Sequence, residues 1–157
     1  MSFGAPSITC TGYYFLIFRL EKNVDIQVGS LGTLSLKAGV YGYIGSSFLR
    51  KGIAQRVARH LSRNKKIRWH IDYLTSKDFF NPIELIWICS QSRGKEYEAS
   101  KCIESAAEEV VEKFGSSDSK ARGHLFLISE NAGEYFRLEE IVNCFEKRLG
   151  KVQQLIL

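Results

Sequence analysis

Three observations predict an α+β fold, a small mixed or antiparallel sheet with helices packed on it. Early apolar segments run or alternate as strands do, later segments carry a helical stripe, and short apolar strands separate the helices. The resulting order, β-β-β-β-α-β-α-β-α, calls for one sheet covered by helices. With 157 residues, 45% of them hydrophobic and 25% charged, the chain sits at the globular average. That length predicts a single domain over residues 1–157, with a core at about 12–128 and a C-terminal helix and tail at 134–157. Disorder, collagen and low-complexity classes are excluded by the composition.

The run Tyr13-Tyr14-Phe15-Leu16-Ile17-Phe18 is aromatic and branched, as in a buried strand. Val24, Ile26 and Val28 alternate with polar residues, and so do Leu34 and Leu36 beyond Gly29-Ser30-Leu31-Gly32, which predicts a hairpin with one wet face. Gly39 to Gly45 reads as a further strand, thinned by glycine where something approaches the backbone closely.

A helix follows from about Ile53 to Arg63, with Ile53, Val57 and Leu61 on one face. Arg56, Arg59, His60 and Arg63 occupy an arc of about 100° beside that stripe. Trp69 to Leu74 is too aromatic for an ordinary loop and is expected to pack back on the sheet. Ile83 to Cys89 reads as a short strand. A second helix is predicted from about Glu98 to Lys113, with Cys102, Ile103, Ala106, Ala107 and Val110 inward. Phe114-Gly115-Ser116-Ser117-Asp118 supplies its glycine stop and polar turn. His124 to Ile128 reads as a last strand and Leu138 to Leu149 as a last helix, ended by Gly150.

No apolar run approaches the roughly 18 residues that span a bilayer, and Tyr13 to Phe18 lacks a basic leader, so neither a membrane anchor nor a signal peptide is expected. The four cysteines, Cys10, Cys89, Cys102 and Cys144, include no Cys-x-x-Cys pair. Such sparse spacing suits a reducing cytoplasm better than a disulfide scaffold or a zinc site.

Charge is unevenly placed. Between Ile26 and Ile71 there are nine basic residues and no acidic one, whereas the rest of the chain has 13 basic and 17 acidic. Clustered cations displace the counterions of nucleic acid, which makes that polymer the expected partner, with DNA ahead of RNA. Arg50, Lys51, Arg59, Arg63, Lys65, Lys66, Arg68 and His70 are the candidate contacts.

Two spaced tyrosine motifs give the charge a context. Gly12-Tyr13-Tyr14 lies in the first strand, and Tyr43-Ile44-Gly45 ends the strand before the basic helix. This arrangement resembles the GIY-YIG nuclease superfamily, with Arg56 at the position of the helix arginine and His60 one turn further on. Over Gly12 to about Phe126 the chain is similar to one uncharacterised prokaryotic branch, common in archaea and in places fused to endonuclease III. The strings Gly39 to Ser46, Arg56 to Leu61, Lys65 to Leu74, Phe114 to Asp118 and His124-Leu125-Phe126 carry that similarity. Ser119 and Ala121 stand where that branch has cysteines, and Cys102 follows Lys101 where it has Glu-Cys.

The resemblance implies a divalent-metal-dependent endonuclease, with a place in DNA repair beside an endonuclease III-type enzyme. It implies that Tyr14 or Tyr43 is the base, without saying which, that Arg56 clamps phosphate, and that His60 relays or orients a proton. Glu98 is the expected ligand of Mg²⁺ or Mn²⁺, with Glu104 as the fallback. To work as a base, either phenol needs a pKa below its usual value of about 10, and the cationic arc should push it that way. His70 and Asp72 are expected to form a second polar site. The alternative function is a nucleic-acid-binding module of the same fold that has lost cleavage. A protein-interaction domain that docks through the acidic C-terminal half is a third class.

Overall fold

The spine of the molecule is β1 (Gly12–Leu20), which is buried on both faces and therefore reads as one continuous apolar run. A computed structural model of the chain describes residues 8–116, 119–130 and 136–157. β1 pairs antiparallel with β4 (Gly39–Ser47) on one side and β5 (Asn81–Cys89) on the other. Beyond β4 lie β7 (Leu125–Ser129) and β6 (Glu109–Val111), and beyond β5 lies β8 (Val152–Ile156). The sheet is six-stranded in the order β6-β7-β4-β1-β5-β8, and its pairings are antiparallel. β2 (Val24–Gln27) and β3 (Thr33–Leu36) form a separate hairpin around a 3-10 turn at Gly29–Leu31.

Alternation along β1 sorts the helices into two layers. Tyr14, Leu16 and Phe18 face α1 (Gly52–Leu61) and α2 (His70–Thr75), through Ile53, Val57, Ile71 and Leu74. Tyr13, Phe15 and Ile17 face α3 (Glu96–Glu104) and α4 (Phe136–Arg148), through Ala99, Ile103, Ile141 and Phe145. This is the predicted α+β class, with helices on both faces of the sheet. None of the helices among the described residues is long and apolar enough to cross a membrane.

Four local readings are corrected. The helix expected over Glu98–Lys113 ends at Glu104, and Glu109–Val111 pairs with the rim of β7 instead. The helical stripe through Ala106 is real, but Val110 and Val111 are β-branched, and the unpaired edge of β7 takes them as a strand. The polar stop at Phe114 and Gly115 thus follows a strand, and Ser117 and Asp118 lie outside the described residues. Trp69–Leu74, expected to pack on the sheet, turns into the short helix α2, whose Ile71 and Leu74 join the core while Trp69 at its N-terminus stays exposed. The tail expected after Gly150 is strand β8, whose Val152 to Ile156 pair with Ile88 to Glu84.

The fourth correction concerns the cysteines. All four are bridged, Cys10 to Cys89 and Cys102 to Cys144, each with a Cα–Cα distance of 5.6 Å, within the usual disulfide range. The partners are 79 and 42 residues apart. Only the adjacency of β1 to β5, and of α3 to α4, brings them together, so linear spacing carries no sign of it. The cysteines therefore do not support a reducing compartment.

Candidate active site

A cleft of about 750 Å³ opens across one end of β1 and β4, where the two helical layers meet. Tyr14 and Tyr43 come from the sheet, Arg56 and His60 from α1, His70 from α2, and Glu96 and Glu98 from the first turn of α3. The two phenols, the guanidinium, the imidazole and the carboxylate named from the sequence thus line one cavity.

Backbone packing decides where Tyr14 sits. Gly45 is its cross-strand partner. A β-carbon at Gly45 would lie 2.5 Å from the phenol oxygen, so only glycine leaves the ring its place. Gly12 has a φ of +145°, and a β-carbon there would run into the Ile88 carbonyl oxygen at 2.0 Å. Tyr13 points to the opposite face and positions the other wall. Its hydroxyl donates to the Ser92 carbonyl at 2.5 Å and accepts from the Lys95 amide at 3.0 Å, fixing the residues that lead into α3.

At the base of the cleft the Tyr14 oxygen lies 2.6 Å from Nε2 of His60. Arg56 lines the cleft beside that pair, and its charge acts on the Tyr14 oxygen. Which of Tyr14 and His60 donates is set by the His60 tautomer. Nδ1 of the same ring is buried without a partner. Burial, reinforced by the Lys65 charge, lowers the His60 pKa to about 3. Burial raises both phenols, Tyr43 to about 12 and Tyr14 well above its usual value, with Arg56 only partly opposing it. The expected lowering is therefore corrected: the low-dielectric pocket penalises phenolate more than the guanidinium favours it.

Other polar groups complete the lining. The Gly115 amide donates to Nδ1 of His70 at 2.9 Å, which leaves the neutral ring's proton on Nε2. Glu96 accepts from the Ser46 hydroxyl at 2.7 Å, while Glu98 stays exposed. His124, read from the sequence as a core residue, also lines the cleft, and burial lowers its pKa. Glu96 was missed because it stands in no motif, and His124, though in the His124-Leu125-Phe126 string, because that string carried no role. The clearest signal for Glu96 was its spacing of two from Glu98 at a helix start.

Several expected contacts lie elsewhere. Glu104 ion-pairs with Lys101 at 3.5 Å and Arg122 at 3.0 Å and does not line the cleft, which removes the fallback metal ligand. Asp72 forms no polar site with His70. It is fully buried and accepts from the Arg68 and Trp69 amides at 2.9 and 3.0 Å and from Arg59 at 2.6 Å, which caps α2. Of the basic residues, Arg68 and His70 line the cleft. Arg63 pairs with Asp78 at 2.8 Å, and Lys65 caps the end of α1 through the Arg59 and His60 carbonyls. Arg50, Lys51 and Lys66 are exposed outside the cleft.

No group of three or more His, Cys, Asp or Glu side chains suited to a metal is found among the described residues. A cation held by one carboxylate nevertheless fits the donor set. Mg²⁺ keeps several waters and takes one or two carboxylates together with substrate phosphate, and Glu98 is an exposed carboxylate facing the cleft.

Fold and site together define an α+β domain with a polar, arginine-bearing cleft at one end of its sheet. Residues 13–147 match the sequence model of a family described as a domain of unknown function, DUF123, and the chain belongs to that family. This replaces the expected membership of the GIY-YIG superfamily. The strings that suggested it are short, and in this fold Gly45 and Tyr14 form a packing pair that does not by itself fix ancestry. Neither a curated protein nor a solved structure was found to match the chain.

Proposed function

We propose that this protein is a nucleic-acid endonuclease that hydrolyses phosphodiester bonds with the aid of a divalent cation, DNA being the expected substrate. One observation carries the reading: the Tyr14–His60 pair and Arg56 share a cleft with the acidic first turn of α3. Arg56 presents a planar donor set suited to a phosphate. Glu98 would hold Mg²⁺ or Mn²⁺, which when bound supplies Lewis-acid polarisation of the phosphate.

The proton path follows from the charge of the substrate, since burial penalises imidazolium on His60 as well as phenolate on Tyr14. Accepting a proton from an attacking water at the Tyr14 oxygen, while the phenol proton passes to Nε2 of His60, avoids a buried phenolate. An incoming phosphate carries negative charge, which favours imidazolium on His60 and disfavours phenolate on Tyr14. Both effects direct the proton to the histidine. Tyr14 is thus the tyrosine that relays, while Tyr43 orients the substrate.

Incubation of the purified protein with Mg²⁺ or Mn²⁺ and duplex, branched and single-stranded oligonucleotides tests the reading. Arg56→Ala and Glu98→Gln should abolish metal-dependent cutting while leaving the fold intact. Failure to cut any of the three substrates removes the assignment.

The raised phenol pKa values favour a second reading, a binding module without cleavage. It retains salt-sensitive binding, with a log–log slope of roughly −4 to −5 on duplex DNA for about five phosphate contacts. Residence in the cytoplasm, expected with such a substrate, is compatible with the two disulfides only in cells where intracellular disulfides persist.

A further inference from the structure

Two large aromatic side chains remain exposed at the cleft, and hydrolysis gives them no role. Trp69, at the N-terminus of α2, is 36% exposed, and Tyr97, in the first turn of α3, is 40% exposed. Both line the cavity that holds Tyr14 and Arg56. They come from helical layers on opposite faces of the sheet, so they flank the opening from two walls.

Neither ring is a loose surface residue. The Arg56 and Arg59 guanidinium carbons lie 4.8 and 4.9 Å from the Trp69 ring centroid, and the His60 ring lies 6.2 Å away. These three neighbours all belong to α1, so one helix braces the indole, which is still 36% exposed. Its backbone amide is fixed by Asp72, which Arg59 holds in turn. Lys101 sits 5.5 Å from the Tyr97 ring. Rigid aromatic platforms beside cations are what unpaired nucleobases stack upon, since every base offers a π-face whatever its sequence. A paired duplex keeps its bases stacked on one another and offers no face to either ring.

Resting on the nuclease reading, we propose that Trp69 and Tyr97 stack unpaired bases on either side of the scissile phosphate. The substrate class is then a single-stranded or locally unpaired nucleic acid, bound without sequence preference.

Trp69 reports on this directly, because the chain has only one other tryptophan, Trp87. A Trp87→Phe protein is titrated in EDTA, so that nothing is cut, with a twelve-nucleotide dT strand, with an abasic strand of equal length, and with a duplex. The dT strand should quench Trp69 and bind roughly 5- to 100-fold tighter than the abasic strand, the range expected of one or two stacked bases. Trp69→Ala and Tyr97→Ala should each shrink the ratio of dT to abasic affinity, whatever either does to abasic binding itself. Equal binding of dT and abasic strands, or tighter binding of the duplex, overturns the proposal even if the protein cuts with Mg²⁺. Discrimination without cutting in Mg²⁺ or Mn²⁺ keeps the platforms and removes the hydrolysis, and absence of any binding removes both.

Discussion

Gly45 lies directly across the β1–β4 ladder from Tyr14, and the phenol oxygen occupies the space a β-carbon would need, 2.5 Å away. A single methyl at position 45 must therefore displace the hydroxyl that pairs with His60. Gly45→Ala is expected to destabilise the domain by about 1–3 kcal/mol, the usual cost of overpacking. Its effect on cleavage should exceed what that loss of stability explains. Urea unfolding beside cleavage rates at a temperature where the variant is fully folded would separate the two effects. Full activity in Gly45→Ala would show that the Tyr14 position is not critical.

The two tyrosines should not be equivalent. Tyr14 pairs with His60 beside Arg56, whereas the Tyr43 ring lines the cleft and packs edge-on against His60 and Phe114 at 5.8 and 6.3 Å. Tyr14→Phe removes the relay and should lower the cleavage rate about 10²-fold or more, the usual size of a general-base effect. Tyr43→Phe should lower it less and weaken substrate binding more. Single-turnover rates at saturating oligonucleotide would tell them apart, and a larger rate defect in Tyr43→Phe would reverse the roles.

The same residues show what linear reading can reach. Tyr14, Tyr43, Arg56 and His60 were picked out by the Gly12-Tyr13-Tyr14 and Tyr43-Ile44-Gly45 motifs and the resemblance they suggested, while helical spacing placed Arg56 and His60 in one arc. Glu96 and His124 were not, because they enter the cleft through the packing of α3 and the β7 approach, which no local periodicity encodes. Arg59 was read as a phosphate contact from its place in the arc, but Asp72 on α2, thirteen residues on, claims it. The direction of the phenol shifts was missed for a related reason. Charge near a group is visible in sequence, whereas the depth at which it is buried is a property of the whole fold.

Burial of His60 also has a consequence for stability. Its pKa falls from 6.5 to about 3 on folding, mainly through desolvation. Between those values the unfolded chain binds a proton that the native chain refuses. Stability must then decline as pH is lowered through that window, by up to about 1.4 kcal/mol per pH unit. Asp72 adds to this near the acid end. Burial alone would raise its pKa, but the Trp69 and Arg68 amides and the Arg59 guanidinium outweigh it and hold the group below its usual value. The stability it contributes is present above the ordinary carboxylate pKa and is lost as pH falls below it. Urea unfolding at a series of pH values from 7 to 4 should show this slope, and His60→Gln should flatten it. Equal stability of the native protein at pH 7 and pH 4.5 would contradict a buried neutral imidazole.

The two disulfides should contribute unequally to the cleft, although both close long loops. Bridging partners 79 and 42 residues apart restricts the unfolded chain, and either bridge should be worth about 2–4 kcal/mol. Their surroundings differ. Cys10 precedes β1, its carbonyl accepts the Ile53 amide at the start of α1, and the neighbouring Thr11 and Ser90 exchange backbone and hydroxyl hydrogen bonds across the β1–β5 end. That bridge ties together the strand of Tyr14 and the helix of Arg56 and His60. Cys102 and Cys144 join α3 to α4 on the other face of the sheet, one turn beyond the Glu98 that reaches the cleft and away from Tyr14, Arg56 and His60. Cys10→Ser with Cys89→Ser should therefore lower both the urea midpoint and the cleavage rate. Cys102→Ser with Cys144→Ser should lower the midpoint by a similar amount and leave the rate nearly unchanged under conditions where the protein is folded. Equal loss of rate in the two double variants would mean that the bridge beside β1 acts on global stability alone and does not hold the cleft in register.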